Sequence, residues 1–217
     1  MFFRRNQKPH RTEREDDKIW AAKASRLKGI YEEIAQKLKE KCPVLVIAHF
    51  EKSMAELRLS LEEKNLKFKM ARSDRDLFPL EETKLILLLS ENISGPSGVS
   101  SSWPGNETLK DGKLHILVVE HHPLAERDQA VISFADHLPW ASTVCFHASL
   151  DEPLLKMFGA ESILGLLKTL GLDESQCMSH SLVTSAIAKA QKKIKKPALG
   201  DQRVASMEEW FSYNYPS

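Results

Sequence analysis

Cysteine, glycine and net charge are all in short supply. Cys42, Cys145 and Cys177 are the three cysteines of 217 residues, odd in number and scattered without metal-ligand spacing. That excludes a disulfide framework and a cysteine-held zinc site, and makes reduced thiols in a reducing compartment the expectation. No glycine-rich loop runs through Gly-Lys-Ser/Thr into a helix, so the phosphate loop of an NTPase is missing. With 31 basic and 30 acidic residues the net charge is +1, and bulk electrostatics supply no argument for nucleic acid or an anionic membrane. Nowhere is there a run of about 18 apolar residues, and the start MFFRRNQKPHR has no apolar core of signal-peptide length. The expectation is a cytoplasmic chain without membrane insertion, a peripheral contact staying open.

What is present alternates between short apolar runs and helical patterns. Leu114–Val119 is a β-branched run of the kind buried on both faces of a sheet. Leu124, Val131, Phe134 and Leu138 follow at helical spacing, and Val144–Ala148 is the next strand. Such a unit predicts a right-handed parallel crossover. Pro43–Ala48 and Lys84–Leu89 are further apolar strands; Lys67–Ala71 alternates, with Phe68 and Met70 facing inward. The fold class is therefore α/β, an open parallel sheet of about five strands with helices on both faces and a helical extension after it.

Around the sheet, Asp17 is placed to cap a helix from Ile19 that lines up Trp20, Ala24, Leu27, Tyr31, Ile34 and Leu38. A helix near Glu51–Lys64 carries Met54, Leu57 and Leu61 inward, and Ser94–Gly112 reads as a Gly/Ser/Pro surface loop. Helices are predicted at Pro153–Phe158, at Ser162–Leu170 with Gly171 as its stop, and at Ser181–Lys196 before Pro197. Three parts result: a flexible arm 1–18, an α/β domain 19–151 and a helical appendix 152–217. Trp210, Phe211, Tyr213 and Tyr215 crowd the tail and should dock, on their own domain or on a partner.

Open α/β sheets place ligands at the carboxyl ends of their strands, and there the chain puts Glu120, His121 and His122. Adjacent on a strand end, the two histidines point oppositely and do not share an ion; no metal is expected. Ser53, Ser90 and Ser133 lack any motif that would activate a nucleophile. Cys145 lies mid-strand and reads as buried and inert. Lys189, Lys192, Lys193, Lys195 and Lys196 read as the solvated face of an amphipathic helix, and Arg4 to Arg14 as part of a solvated arm. Nucleic acid is not an expected partner.

Several stretches also carry a resemblance. Pro43–Ala48 followed by Glu51-Lys52-Ser53, the Glu120/His122 strand end, Asp128, Phe146 and Ser149, then Met157-Phe158-Gly159, Leu170-Gly171-Leu172, His180 and Ala186–Lys193 resemble the second RecA-like motor domain of the SecA preprotein translocase ATPases, with the start of its helical scaffold. The resemblance spans about Asp16–Lys196. It implies a RecA-like sheet and a link to protein export.

It also marks what is missing. Ala125, Glu126, Ile132, Phe134 and His137 fall where the family carries arginines, and Pro96 and Val99 where it carries a coupling arginine and an aspartate. Glu51, Lys52, Ser53, Asn92, Gly95, Glu120 and His122 then line a vestigial cleft, with no catalytic residue and no cofactor expected. The implied function is a non-catalytic, SecA-like binding or regulatory module whose partner is a protein, in the direction of the export machinery. Ile132, Phe134, Trp210 and Phe211 are the candidates for a partner-binding surface, with Ile132 and Phe134 forming either a partner-facing or a newly buried patch and the tail aromatics expected first to dock on their own domain. Two alternatives stay open: a translocation component that retains ATP binding, and an enzyme reusing the cleft through Glu120, His121, His122 and Glu126.

Overall fold

A computed structural model describes residues 12–77, 84–94, 113–158, 165 and 177–216. Gly95, Pro96, Val99, Leu170-Gly171-Leu172, nearly all of the helix expected at 162–170 and most of the basic arm lie outside them.

Two short strands open the chain, β1 (Glu13–Arg14) and β2 (Lys18–Trp20). After them come α1 (Lys23–Lys39), β3 (Val44–Ala48), α2 (Glu51–Glu63), β4 (Lys69–Met70) and β5 (Leu85–Leu89). The crossover unit follows as β6 (Leu114–Val118), α3 (Ala125–His137) and β7 (Ser142–Ser149). The C-terminal part holds α4 (Pro153–Phe158), β8 (Met178–Ser179), α5 (Ser181–Lys195) and α6 (Met207–Asn214).

The sheet runs β4-β5-β3-β6-β7-β2-β8, with β1 also on β7. From β4 to β7 all pairing is parallel, as the apolar runs predict. Strand β3 shows why both faces must be covered. Leu45 and Ile47 turn to one face, with Val131 and Phe134 of α3. Val44, Val46 and Ala48 turn to the other, against Ile30 and Ile34 of α1 and Leu57 and Leu61 of α2. Neighbouring β3 and β6 therefore send their following helices to opposite faces. Their carboxyl ends diverge there, which is where such sheets open a crevice.

The amino-terminal expectation needs correction. Lys18–Trp20 is a strand, paired in parallel with His147, Ala148 and Ser149 of β7, and Glu13–Arg14 pairs with Thr143 and Val144. Pairing along β7 satisfies backbone groups that a helix from Ile19 would have used internally. The helix starts at Lys23 instead; its N-cap is Ala22, without a side-chain cap. Trp20 then lies over Gly29, where a methyl group would overlap the indole. Strand β4 is shorter than expected, and Met70 on this edge faces outward at 41% exposure.

Nor does the C-terminal part stand off as an appendix. Strand β8 pairs antiparallel with β2. Val183, Ile187, Ala190 and Ile194 of α5 and Met207, Trp210 and Phe211 of α6 share one apolar cluster with Ile19, Phe50 and Ala148. Trp210, Phe211 and Tyr215 dock on the chain itself and cover the apolar stripe that α5 would otherwise expose, while Tyr213 stays exposed at 62%.

Candidate functional site: the crevice between β3 and β6

Glu120, His121 and His122 leave the end of β6 and are all nearly buried. Opposite them, His49 and Phe50 leave β3 and lead into α2. The Glu120 carboxylate reaches across. Its Oε1 accepts the His49 N–H at 2.7 Å and the Phe50 N–H at 3.3 Å. Those amides sit at the entrance of α2, whose N-cap has no side-chain cap. A carboxylate of the chain itself thus takes the place a helix amino end offers to a phosphate.

Asp128, in the first turn of α3, is the hub of the site. On Oδ2 it accepts from His121 Nδ1 at 2.7 Å and from Gln191 Nε2 at 2.7 Å. On Oδ1 it accepts the His122 N–H at 2.9 Å and has His49 Nε2 at 2.9 Å. Gln191 also donates to the His122 carbonyl at 2.8 Å, which ties α5 into the crevice. Burial acts to raise the Asp128 carboxyl, but the His121 charge and hydrogen bond outweigh it and hold the group far below its usual range.

The paired histidines do diverge. His121 stacks on Phe146, with ring centroids 4.7 Å apart, and its Nε2 lies 3.4 Å from Asp17. Burial alone would discharge it; Asp128 and Asp17 reverse that and raise it to about 9. Asp17 caps no helix. It is fully buried, beside His121 and Arg14. His122 turns the other way. It stacks on Phe50 at 5.4 Å and meets Trp210 edge-on at 5.7 Å. Burial, then neighbouring His49, lower it to about 3, so it stays neutral.

The tail closes the front of this crevice. Ala205 carbonyl accepts the Lys52 N–H at 3.0 Å. Arg203 bridges Glu51 and Glu91 at 2.9 and 2.6 Å. Asp201 accepts from Trp210 Nε1 at 2.9 Å and pairs with Arg127 at 2.5 Å. Behind the strap lies a cavity of about 180 Å³ lined by Lys52, Ser53, Arg26, Glu120 and Glu152 among others. Glu51, Lys52, Ser53, Glu120 and His122 are therefore brought together; Asn92 ends a 3-10 turn at Ser90–Asn92, on the far side of the strap's Arg203–Glu91 bridge.

On α3, the positions aligned with family arginines serve other purposes. Phe134 is 2% exposed in the core and Ile132 packs half-buried against it. Glu126 pairs with Lys195, and His137 bonds the Ser133 carbonyl at 2.6 Å. Phe134, Trp210 and Phe211 take the inward one of their two expected places: they are buried in the chain's own interior and offer no surface to a partner. Of the four candidates, Ile132 alone keeps partial exposure.

One further cluster has metal-ligand types: Glu33, Cys145 and His147. Its chemistry points elsewhere. Trp20 Nε1 donates to His147 Nδ1 at 3.3 Å, so the neutral ring carries its proton on Nε2, facing Glu33. Glu33 is already bound by Lys18 at 2.7 Å, and burial pushes the Cys145 thiol far up. The sequence offers Asp17 only as a helix cap and gives no sign of a site role for Arg26, His49, Gln191 or Asp201. Asp128 was visible as a matched position, yet nothing in the spacing disclosed that three donors and the His49 ring converge on it.

No protein-family model matches the chain. Curated proteins do. "Protein translocase subunit SecA" of Phocaeicola vulgatus is 25% identical over 191 residues, 85% of this chain and 17% of that protein. SecA of Syntrophobacter fumaroxidans is 28% identical over 189 residues, 84% of this chain and 22% of that protein. The chain is SecA-like in sequence. It spans about a fifth of the length of these relatives. In Acidithiobacillus ferrooxidans SecA the identity rises to 31% over 99 residues, 45% of this chain and 11% of that one. Among solved structures, the C-terminal part of the Fun30 ATPase domain overlaps the SecA-like chain with TM-score 0.44 at 10% identity, over 79% of this chain and 54% of that one. The Pyrococcus furiosus Hef helicase domain gives 0.38 at 16% identity, over 57% and 25%.

Proposed function

We propose that this SecA-like chain is a motor-domain relative that neither binds nor hydrolyses ATP and acts as a binding or regulatory module in protein export, meeting a protein partner on the cytoplasmic side. The observation that carries the reading is the occupied crevice. Glu120 holds the His49 and Phe50 amides just ahead of α2, Trp210 lies against His122, and the strap 201–206 covers the entrance to α2. A triphosphate would have to displace a carboxylate and a docked helix together. The arginines at the crevice are already engaged: Arg26, Arg127 and Arg203 are each paired to a carboxylate. Each charge-assisted phosphate contact contributes about 1.5–3 kcal/mol, and micromolar affinity totals about 8 kcal/mol, so losing several arginines removes most of it. Among the described residues no helix is long and apolar enough to cross a membrane.

Calorimetric titration with ATP·Mg²⁺ tests the reading. No heat of binding up to millimolar nucleotide is the expected outcome. Micromolar binding, or turnover, would replace it with a translocation component that retains its nucleotide.

A further inference from the structure

We propose that the cavity beneath the strap binds a small zwitterion of the free amino-acid class, held head to tail between Arg26 and Glu120. The two side chains carry opposite charge, are each 1% exposed, and both line this cavity of about 180 Å³. Glu120 is the leading charge acting on the guanidinium, yet no ion pair joins the two. Part of each group is already engaged. Arg26 pairs with Glu152, whose second oxygen accepts the Ser149 N–H at 3.1 Å. Glu120 Oε1 accepts the His49 and Phe50 amides. Arg26 Nε and Glu120 Oε2 have no hydrogen-bond partner among the described residues. One is a donor and the other an acceptor, and a buried charged group left in that condition is costly.

The charges around the cavity select the class of ligand. Lys23 and Lys52 stand with Arg26, and Asp151, Glu152 and Glu208 with Glu120, three cations against four carboxylates. A simple anion would meet the carboxylates, and a simple cation the guanidinium. A molecule carrying both signs satisfies both and adds no net charge to a buried site. Among the described residues, no three of these carboxylates come close enough together to share a metal ion.

Size narrows the class further. At about 30 Å³ per water, the cavity takes a molecule of about six non-hydrogen atoms, which is the size of alanine. The carboxylate of such a ligand accepts from Arg26 Nε and its ammonium donates to Glu120 Oε2. Pro153 and Met207 give the methyl group an apolar stretch of wall. Lys52, Asp151 and Glu208 are exposed, so the cavity opens to solvent at their side. Arg26 comes from α1 and Glu120 from the end of β6, and no local motif announces the pair. Nucleotide plays no part in this, so the titration with ATP and the one below fail separately.

Calorimetric titration of the 217-residue chain with L-alanine is the test. The expected result is saturable binding with a dissociation constant on the order of 1 mM, inside the ceiling for so small a ligand. Lactate has a hydroxyl in place of the ammonium, and ethylamine lacks the carboxylate; each should bind at least about 10-fold more weakly. Glu120→Gln keeps an oxygen for the His49 and Phe50 amides but turns a donor toward the ammonium, and should weaken alanine binding about 10-fold or more. Arg26→Met with Glu152→Gln removes the carboxylate's partner and should do the same, and it decides the matter if Glu120→Gln does not fold. No saturable binding up to about 50 mM alanine overturns the proposal. So does equal binding of lactate or ethylamine, or alanine binding unchanged in the variants.

Discussion

Two buried polar clusters lie at the carboxyl end of the sheet, and they are built on opposite terms. Around Asp128 the donors converge: three hydrogen bonds plus His49 Nε2 at 2.9 Å, with imidazolium His121 flanked by a second aspartate, Asp17. Around Arg26 the terms stay open. Its guanidinium pairs with Glu152, yet Nε and Glu120 Oε2 have no hydrogen-bond partner among the described residues, and a cavity of about 180 Å³ adjoins them. That volume holds several waters at about 30 Å³ each. The first cluster also leaves Asp17 Oδ2, His49 Nε2 and His121 Nε2 short of a hydrogen bond, but each lies within 3.4 Å of a carboxylate or imidazole partner, and it acts as a clamp that fixes β2, β6, α3 and α5 to one another. The second is a wet pocket beneath the strap.

The comparison breaks first at Asp128. Replacing it by Ala leaves the His122 N–H and Gln191 short of an acceptor and His121 charged with one remaining counter-ion. Breaking a buried charge pair from one side costs about 3–5 kcal/mol. A chain of this size should lose about 10 °C or more of melting temperature. A shift of a degree or two would mean the clamp is not where stability is stored.

Raising the pH breaks the same clamp without a substitution. The folded pKa of His121 lies near 9, above its ordinary 6.5. Its contribution is therefore fully present below about pH 6.5 and is lost as pH rises through 9, a loss on the order of 3 kcal/mol. His122 has the opposite sign. Lowered to about 3, it opposes folding increasingly as pH falls below 6.5. Denaturant midpoints should peak near neutrality and fall on both sides, and His121→Phe should flatten the alkaline limb. An alkaline limb unchanged in that variant would remove His121 as its source.

The same contrast explains what the sequence made legible. Strands β3, β5, β6 and β7 are continuous apolar runs because both faces are covered, and period and length alone locate them. Glu120 and His122 were placed at a strand's carboxyl end by that logic. The rest depends on contacts distant along the chain. Lys18–Trp20 is too short to reveal a strand, and it becomes one because β7 is long enough to pair with it. Phe134 in place of an arginine reads as either a partner-facing or a newly buried patch, and only the packing of α3 on the sheet decides that it joins the core. Asp128 meets Gln191 across 63 positions, and His49 meets Ser90 across 41. Charge complementarity at that range leaves no periodic trace.

The smallest effect belongs to the wet pocket, and it is the sharper test of the difference. Arg26 is 1% exposed, which on burial alone would rank its loss with that of Asp128. Burial indeed lowers its pKa, with Glu120 the leading charge in opposition. Lys52 lines the same cavity, however, and Lys23 reaches it from its pair with Glu56, so water and other positive charge can meet carboxylates that lose the guanidinium. Arg26→Met with Glu152→Gln removes both members of the ion pair while keeping most of its volume. Replacements of that kind are often neutral or stabilising. The expected change in unfolding free energy is about 1 kcal/mol or less, several-fold below the Asp128→Ala effect. A loss of about 3 kcal/mol or more in the double variant would show that the Arg26 cluster is also a clamp, and that its unmatched atoms are no sign of water.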